Sequence, residues 1–115
     1  MEWATADLHG ANGDVYPVLS FFGDLDIESS EVLRGAALPL VKGSAPIVVV
    51  NLEGVLFMDS TGLSALIACH KAAVAAGNEC RFVINVPKVT RLVETTRVNT
   101  FLSIFPTNES AIGVI

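Results

Sequence analysis

Residues 47–66 read IVVVNLEGVLFMDSTGLSAL. Ile47 to Val50 are four consecutive β-branched apolar residues, the composition of a strand buried on both faces. The apolar run breaks at Asn51, Glu53 and Gly54 and resumes to Met58. Asp59, Ser60, Thr61 and Gly62 follow, and then a helical pattern begins. With Asp59 as N-cap, its carboxylate can accept a backbone N–H of the first turn. Met58 then meets Leu63 across that turn as a hydrophobic staple. The helix is expected from about Ser60 to Ala76, stopped by Gly77-Asn78. Strand, cap and helix in this order are half of a βαβ unit.

The same alternation extends outward. Residues 3–8 and 15–22 read as strands joined by the turn-rich HGANGD, which places His9 in a turn. Pro17 cannot donate to a ladder, which predicts an edge or a bulge there. Asp26, Ser29 and Ser30 are candidate caps for a helix from about Ser29 to Lys42, with Pro39 expected to kink or shorten its last turn. CRFVINV, residues 80–86, reads as a strand, and Pro87 opens a short helix over about Lys88–Thr95. Phe101–Phe105 is a last strand and Asn108–Ile112 a terminal helix. The fold class is therefore α/β with a mostly parallel central part. At 115 residues the chain has the size of one domain, spanning 1–115.

Composition narrows the function. The formal net charge is −5, and residues 1–33 hold Glu2, Asp7, Asp14, Asp24, Asp26, Glu28 and Glu31 with no Lys or Arg. Phosphate neutralisation needs clustered cations, so nucleic acid is not expected as a partner. No apolar stretch approaches the roughly 20 residues of a membrane span, and the N-terminus lacks the pattern of a secretion signal. Cys69 and Cys80 have no metal-ligand or redox spacing and read as buried free thiols. Together these predict a cytoplasmic protein with no metal site and no cofactor.

Ser60 is the residue of chemical interest. It falls at or next to the first helical position, where free N–H groups and the positive end of the dipole favour an added anion. A phosphate there should be tolerated. Gly62 costs roughly 1 kcal/mol against Ala in a helix, so its missing side chain should serve a purpose: it would leave the backbone open to a docking group. A hydrolase reading fares worse. The position two before Ser60 is Met58 where a nucleophile elbow needs Gly, and a triad would have only His9 or His70 to draw on. His70 flanks the buried helix face and reads as structural. No P-loop is present. The chain is expected not to be an enzyme, and no residue is assigned a catalytic role.

These motifs resemble the STAS domain, and within it the small stand-alone bacterial anti-sigma factor antagonists. The resemblance runs from about residue 13 to residue 112. It rests on GDLD at 23–26, a helix with Glu31 and Leu33, IVVVNLEGVLFMDSTGLSALIACHKAA at 47–73 and, more loosely, LVETTRVNTFLSIFPTNESAI at 92–112. It implies a β-β-α-β-α-β-α-β-α domain, a central mixed sheet with packed helices, and a partner switch. In the family the serine after the motif aspartate, here Ser60, is phosphorylated by an anti-sigma factor that is itself a serine kinase. The unmodified form captures that kinase and frees its sigma factor; a serine phosphatase resets the switch. Asp26 matches the family's acidic residue in the loop after the second strand, near the phosphorylation site, and Asp24 stands where the family usually has an acidic residue. Asp59, Thr61, Gly62 and Leu63 match the motif itself. Together with Ser60 these are the partner-binding residues the resemblance implies, and a monomer is the state it implies. Where the family commonly has Gly-Leu after the third helix, this chain has Arg97-Val98. The alternative is a STAS interaction or small-ligand module, for a nucleotide or lipid, in another signalling or transport assembly.

Overall fold

The computed structural model describes residues 1–113. In chain order the elements are β1 (Glu2–His9), β2 (Val15–Phe22), α1 (Ile27–Val41), β3 (Ile47–Gly54), α2 (Ser60–Ala75), β4 (Glu79–Val83), α3 (Pro87–Thr95), a single 3-10 turn (Val98–Thr100), β5 (Ser103–Phe105) and α4 (Asn108–Ala111). The strands form one sheet in the order β1-β2-β3-β4-β5. The β1–β2 pair is antiparallel and the other three pairs are parallel, so the sheet is mixed.

Each parallel step moves one strand further in the same direction. Right-handed crossovers then place their helices on a common face. The main core lies there: Leu19, Phe21, Val48, Val50, Leu52, Cys80 and Phe82 from the strands meet Leu33 and Ala37 of α1, Leu66 and Cys69 of α2, and Val89 and Val93 of α3. Alternate strand residues point the other way. There Tyr16, Val18, Val49 and Val83 form a smaller cluster under Ala111 of α4. Asn51, Glu53, Asn85 and Asn108 tie the strand ends to α4. Asn51 Nδ2 donates to Glu53 Oε1 (2.9 Å) and Asn108 Oδ1 (2.8 Å), and Asn85 Nδ2 to Glu53 Oε2 (2.8 Å).

Several sequence expectations need correction. Strand β2 is interior, so Pro17 is not on an edge strand. The hairpin explains how it is accommodated. Gly13, at φ 86°, closes a turn in which the Gly10 N–H donates to Asp14 O at 2.8 Å and the Gly13 N–H to Gly10 O at 3.0 Å, the pattern of a G1 bulge. Counting back from that pair, Asp7↔Pro17 falls on a non-hydrogen-bonded position. On the other side, the ladder to β3 begins only at Val18↔Val49. The missing N–H therefore leaves no bond unmade. His9 is the last residue of β1, not part of the turn.

Strand β3 runs four residues past Val50, to Gly54, because β2 continues beside it across a register shift between Ser20 and Phe22. Strand β4 stops at Val83, since its last β3 partner is Asn51. Residues 84–86 lead instead into α3. The segment before β5 is shortened in the same way: Phe101 and Leu102 donate their N–H groups to Val98 O and close the end of the 3-10 turn instead of pairing in the sheet. Helix α1 starts two residues earlier than expected because Asp26, not Ser29, is its cap. It continues two residues beyond Pro39.

Arg97 adopts φ 62° and ψ 16° just past the C-terminus of α3, a left-handed conformation that costs an L-residue roughly 1–2 kcal/mol and favours Gly. Part of the gain on inserting Gly is returned as entropy of the unfolded chain. Arg97→Gly should therefore stabilise the protein by about 0.5–1 kcal/mol, a rise of a few degrees in Tm. Calorimetry showing a lower Tm would mean that the Arg97 side chain contributes more than its backbone costs.

Candidate functional site

Two loops that are distant in sequence are joined backbone to backbone. The Leu25 N–H donates to Phe57 O at 2.9 Å and the Asp59 N–H to Leu25 O at 3.3 Å, so Leu25 and Met58 form an isolated parallel bridge. Each half of the bridge is followed at once by a helix cap. On the first, Asp26 Oδ1 accepts from the N–H groups of Glu28 (3.1 Å) and Ser29 (3.0 Å), while Ser29 Oγ accepts the Asp26 N–H at 2.8 Å in a capping box. On the second, Asp59 Oδ1 accepts from the N–H groups of Thr61 (3.0 Å) and Gly62 (3.0 Å) and from Thr61 Oγ1 (2.6 Å). The bridge thus sets two helix N-termini and two capping carboxylates side by side.

Both carboxyls are held below their ordinary pKa. For Asp59 the main cause is the Thr61 hydroxyl, followed by the Gly62 N–H, with the neighbouring Asp26 carboxylate pushing the other way. For Asp26 the Ser29 N–H and hydroxyl lead. A lowered pKa means that the folded state releases these protons more readily than the unfolded chain. The resulting stability is complete above about pH 4 and is lost as pH falls through the folded-state values. Replacing Asp26 and Asp59 by Asn keeps a cap at each helix but removes the titration. The double variant should show a flatter dependence of Tm on pH below about pH 4 than the wild type. Parallel profiles would place the acid sensitivity elsewhere.

Ser60 is the first residue of α2 and is exposed. The cap geometry spends the Asp59 and Thr61 side chains on each other, and among the described residues no hydrogen bond takes up Ser60 Oγ. Asp24 is exposed two residues before the first cap, and its backbone carbonyl accepts from Ser29 Oγ at 2.6 Å. Leu63 is buried, 6% exposed, in the same core as Met58, which fits the staple.

Gly62 is a correction. It is buried, and a Cβ there would lie 2.6 Å from Leu25 O, 2.7 Å from Leu25 Cγ and 3.0 Å from Met58 Cγ. Its bare backbone admits the bridging loop, not a visiting molecule. Cys69 and Cys80 are buried free thiols, as expected, and burial pushes the Cys69 thiol up to about 11, which keeps it protonated and unreactive. His70 is half-buried against the Phe101 ring, 5.8 Å between centroids.

The sequence reading missed the apolar surround. Phe22, Ile27, Leu56 and Phe57 are all about half exposed or more, with Ile27 at 67% and Leu56 at 66%. Ile27 follows one cap and Leu56-Phe57 precede the other, so these side chains stand beside the acidic loops. On the α3 side a groove of about 400 Å³ is lined by Phe57, Met58, Lys88, Arg91, Leu92 and Thr95. The available signal was Leu56-Phe57, two large apolar residues in a loop after the strand had ended.

Among the described residues no group of His, Cys, Asp or Glu could hold a metal ion, and no helix is long and apolar enough to cross a membrane. No curated protein matches the chain significantly by sequence. Solved structures do match. An anti-sigma factor antagonist from Mycobacterium paratuberculosis superposes with a TM-score of 0.80 at 23% identity, covering 97% of this chain and 92% of that one. An anti-sigma-factor antagonist (STAS) domain protein from Planctomyces limnophilus gives 0.70 at 19% identity, covering 94% of both chains. The Bacillus cell fate determinant SpoIIAA in its phosphorylated form gives 0.64 at 20% identity, covering 96% and 97%. At these identities the likeness establishes the fold. The sequence pattern of the STAS domain matches residues 7–111, nearly the whole chain, and the protein belongs to the STAS domain family.

Proposed function

We propose that the protein is an anti-sigma factor antagonist whose unphosphorylated form binds an anti-sigma serine kinase and so releases a sigma factor, and that phosphorylation of Ser60 turns it off. The observation that carries this reading is the exposed, uncommitted Ser60 hydroxyl at the N-terminus of α2, held beside two capping carboxylates and flanked by exposed Ile27, Leu56 and Phe57. Exposed apolar groups next to charges are the make-up of a protein interface, with a dry centre and a polar rim. Among the described residues nothing beside Ser60 equips it as a nucleophile: Asp59 is engaged by its own helix, and no histidine adjoins it. A hydroxyl that is accessible but not activated suits the substrate of another protein's kinase.

Within this reading the seven implied residues divide into two roles. Asp24, Asp26 and Ser60 face the partner. Asp59, Thr61, Gly62 and Leu63 position Ser60, by capping, close approach to the Leu25 loop and core packing. A metal-dependent serine phosphatase would reset the switch, and the cytoplasm is where it would act.

The test is incubation with ATP and a candidate anti-sigma kinase, followed by peptide mass spectrometry. Modification confined to Ser60 and absent in Ser60→Ala supports the proposal. Modification spread over other serines, or none by any kinase that binds the protein, counts against it.

A further inference from the structure

We propose that β1 is a self-association edge, through which two copies of the chain join into one ten-stranded sheet. Strand β1 is eight residues long, lies at the end of the sheet, and every residue of it except Leu8 is exposed. Natural edge strands are commonly guarded by lysine, proline, a bulge or a cover. Glu2–His9 contains no Lys, Arg or Pro, its charges being Glu2 at the end and Asp7, and its pairing with β2 runs without a register shift. Trp3 stands on this edge 47% exposed. The opposite edge differs: β5 has three residues, each half-buried, and α4 packs beside it.

The second copy is favoured as occupant because the strand is complementary to itself. The hairpin phase fixed by the Gly10 N–H bond to Asp14 O makes Ala4↔Ser20, Ala6↔Val18 and Leu8↔Tyr16 the hydrogen-bonded pairs of the β1–β2 ladder. Trp3, Thr5, Asp7 and His9 then turn their N–H and C=O groups to the free edge. Two copies related by a two-fold axis normal to the sheet must pair antiparallel, with residues of the same parity facing each other.

When Ala6 faces its own copy, Trp3 meets His9, Thr5 meets Asp7 and Ala4 meets Leu8. These are an aromatic pair, a hydroxyl beside a carboxylate and an apolar pair, and no like charges are opposed. Centring on Thr5 instead sets Glu2 against Leu8 and Asp7 against Trp3. The first register is therefore the one assigned. The contact is small and belongs to the weak, transient class, so it forms at high protein concentration. It leaves the two Ser60 sites at opposite ends of the joint sheet and stands independently of the function proposed above, although a monomer is what the family resemblance implied.

Sedimentation equilibrium across roughly 10 to 500 µM should show the wild-type mass rising toward twice that of the chain. In Thr5→Pro the lost N–H is one that faces the free edge, so β1–β2 pairing survives. This variant should stay monomeric with a Tm close to wild type. Thr5→Lys tests the same point if the proline variant does not fold. In the assigned register Ala6 faces Ala6 at a non-hydrogen-bonded pair, where Cα atoms lie about 4.5 Å apart, within disulfide reach. Ala6→Cys should cross-link several-fold faster under mild oxidation than Ala4→Cys, with Cys69 and Cys80 buried and silent. A wild type that remains monomeric throughout would overturn the proposal. So would a dimer that persists in both Thr5 variants, or equal cross-linking at positions 4 and 6.

Discussion

Gly62→Val should destabilise the protein by about 3 kcal/mol, with a fall of roughly 10 °C in Tm. An added Cβ would sit 2.6 Å from Leu25 O, which is backbone and cannot step aside as a flexible side chain would. That carbonyl also accepts the Asp59 N–H, so displacing it opens the bridge between the two loops. Opening the bridge loosens both caps together. Helix propensity works the other way, since replacing Gly in a helix gains a few tenths of a kcal/mol for Val and roughly 1 kcal/mol for Ala. Gly62→Ala should therefore lose less than Val, about 1–2 kcal/mol net. Urea denaturation of both variants checks the order. An Ala variant more stable than wild type would show that the loop yields freely and that close approach is not why glycine stands there. The alternative, glycine as an open docking floor, predicts unchanged stability for both.

This residue also marks how far the sequence could be read. Propensity alone flagged Gly62 as out of place in a helix but could not say which neighbour required it. Leu25 lies 37 positions earlier in the chain, and no periodicity reports a contact at that separation. Asp59, Met58 and Leu63 were legible because a cap and its staple are local: every partner falls within five residues. The α/β order was legible for the same reason, as each strand and helix carries its own period. The strand ends were not, since β3 is lengthened and β4 shortened by what lies beside them. Pro17 was misplaced because its tolerance depends on the phase of a hairpin and the starting point of a second ladder. The convergence of Asp26 on Asp59 came from the family resemblance, and its physical cause, the Leu25–Met58 bridge, appears only in three dimensions.

Arg97 is an instructive departure. The backbone there has the left-handed conformation that suits glycine, while the residue standing in it is a cation. The strain falls at the end of α3, the helix whose Lys88 and Arg91 line the groove beside Phe57. The C-terminus of α3 thus carries a cation in a conformation that favours glycine.

Ser60→Asp should bind an anti-sigma serine kinase at least about 100-fold more weakly than wild type, an affinity loss near 3 kcal/mol, while its Tm stays within about 2 °C. The two halves of this expectation have different causes. Within the protein, a new anion at the first position of α2 meets free N–H groups and the positive end of the helix dipole. That attraction offsets repulsion from Asp59 and Asp26, so the fold is not disturbed. Across an interface the balance reverses. Asp24, Asp26 and Asp59 already concentrate negative charge there, and one more carboxylate enclosed against a surface suited to a neutral hydroxyl is desolvated without a partner. Phosphoserine, carrying about −1.5 to −2 charges, should exceed the effect of aspartate. Ser60→Ala adds neither charge nor bulk and should bind about as well as wild type while resisting the kinase. Titration calorimetry with the kinase, paired with thermal melts, separates the cases. Equal affinity of wild type and Ser60→Asp would end the switch hypothesis. Weak binding accompanied by lost cooperative melting would instead mean that the modification acts by unfolding α2, contrary to the anion tolerance argued for its N-terminus.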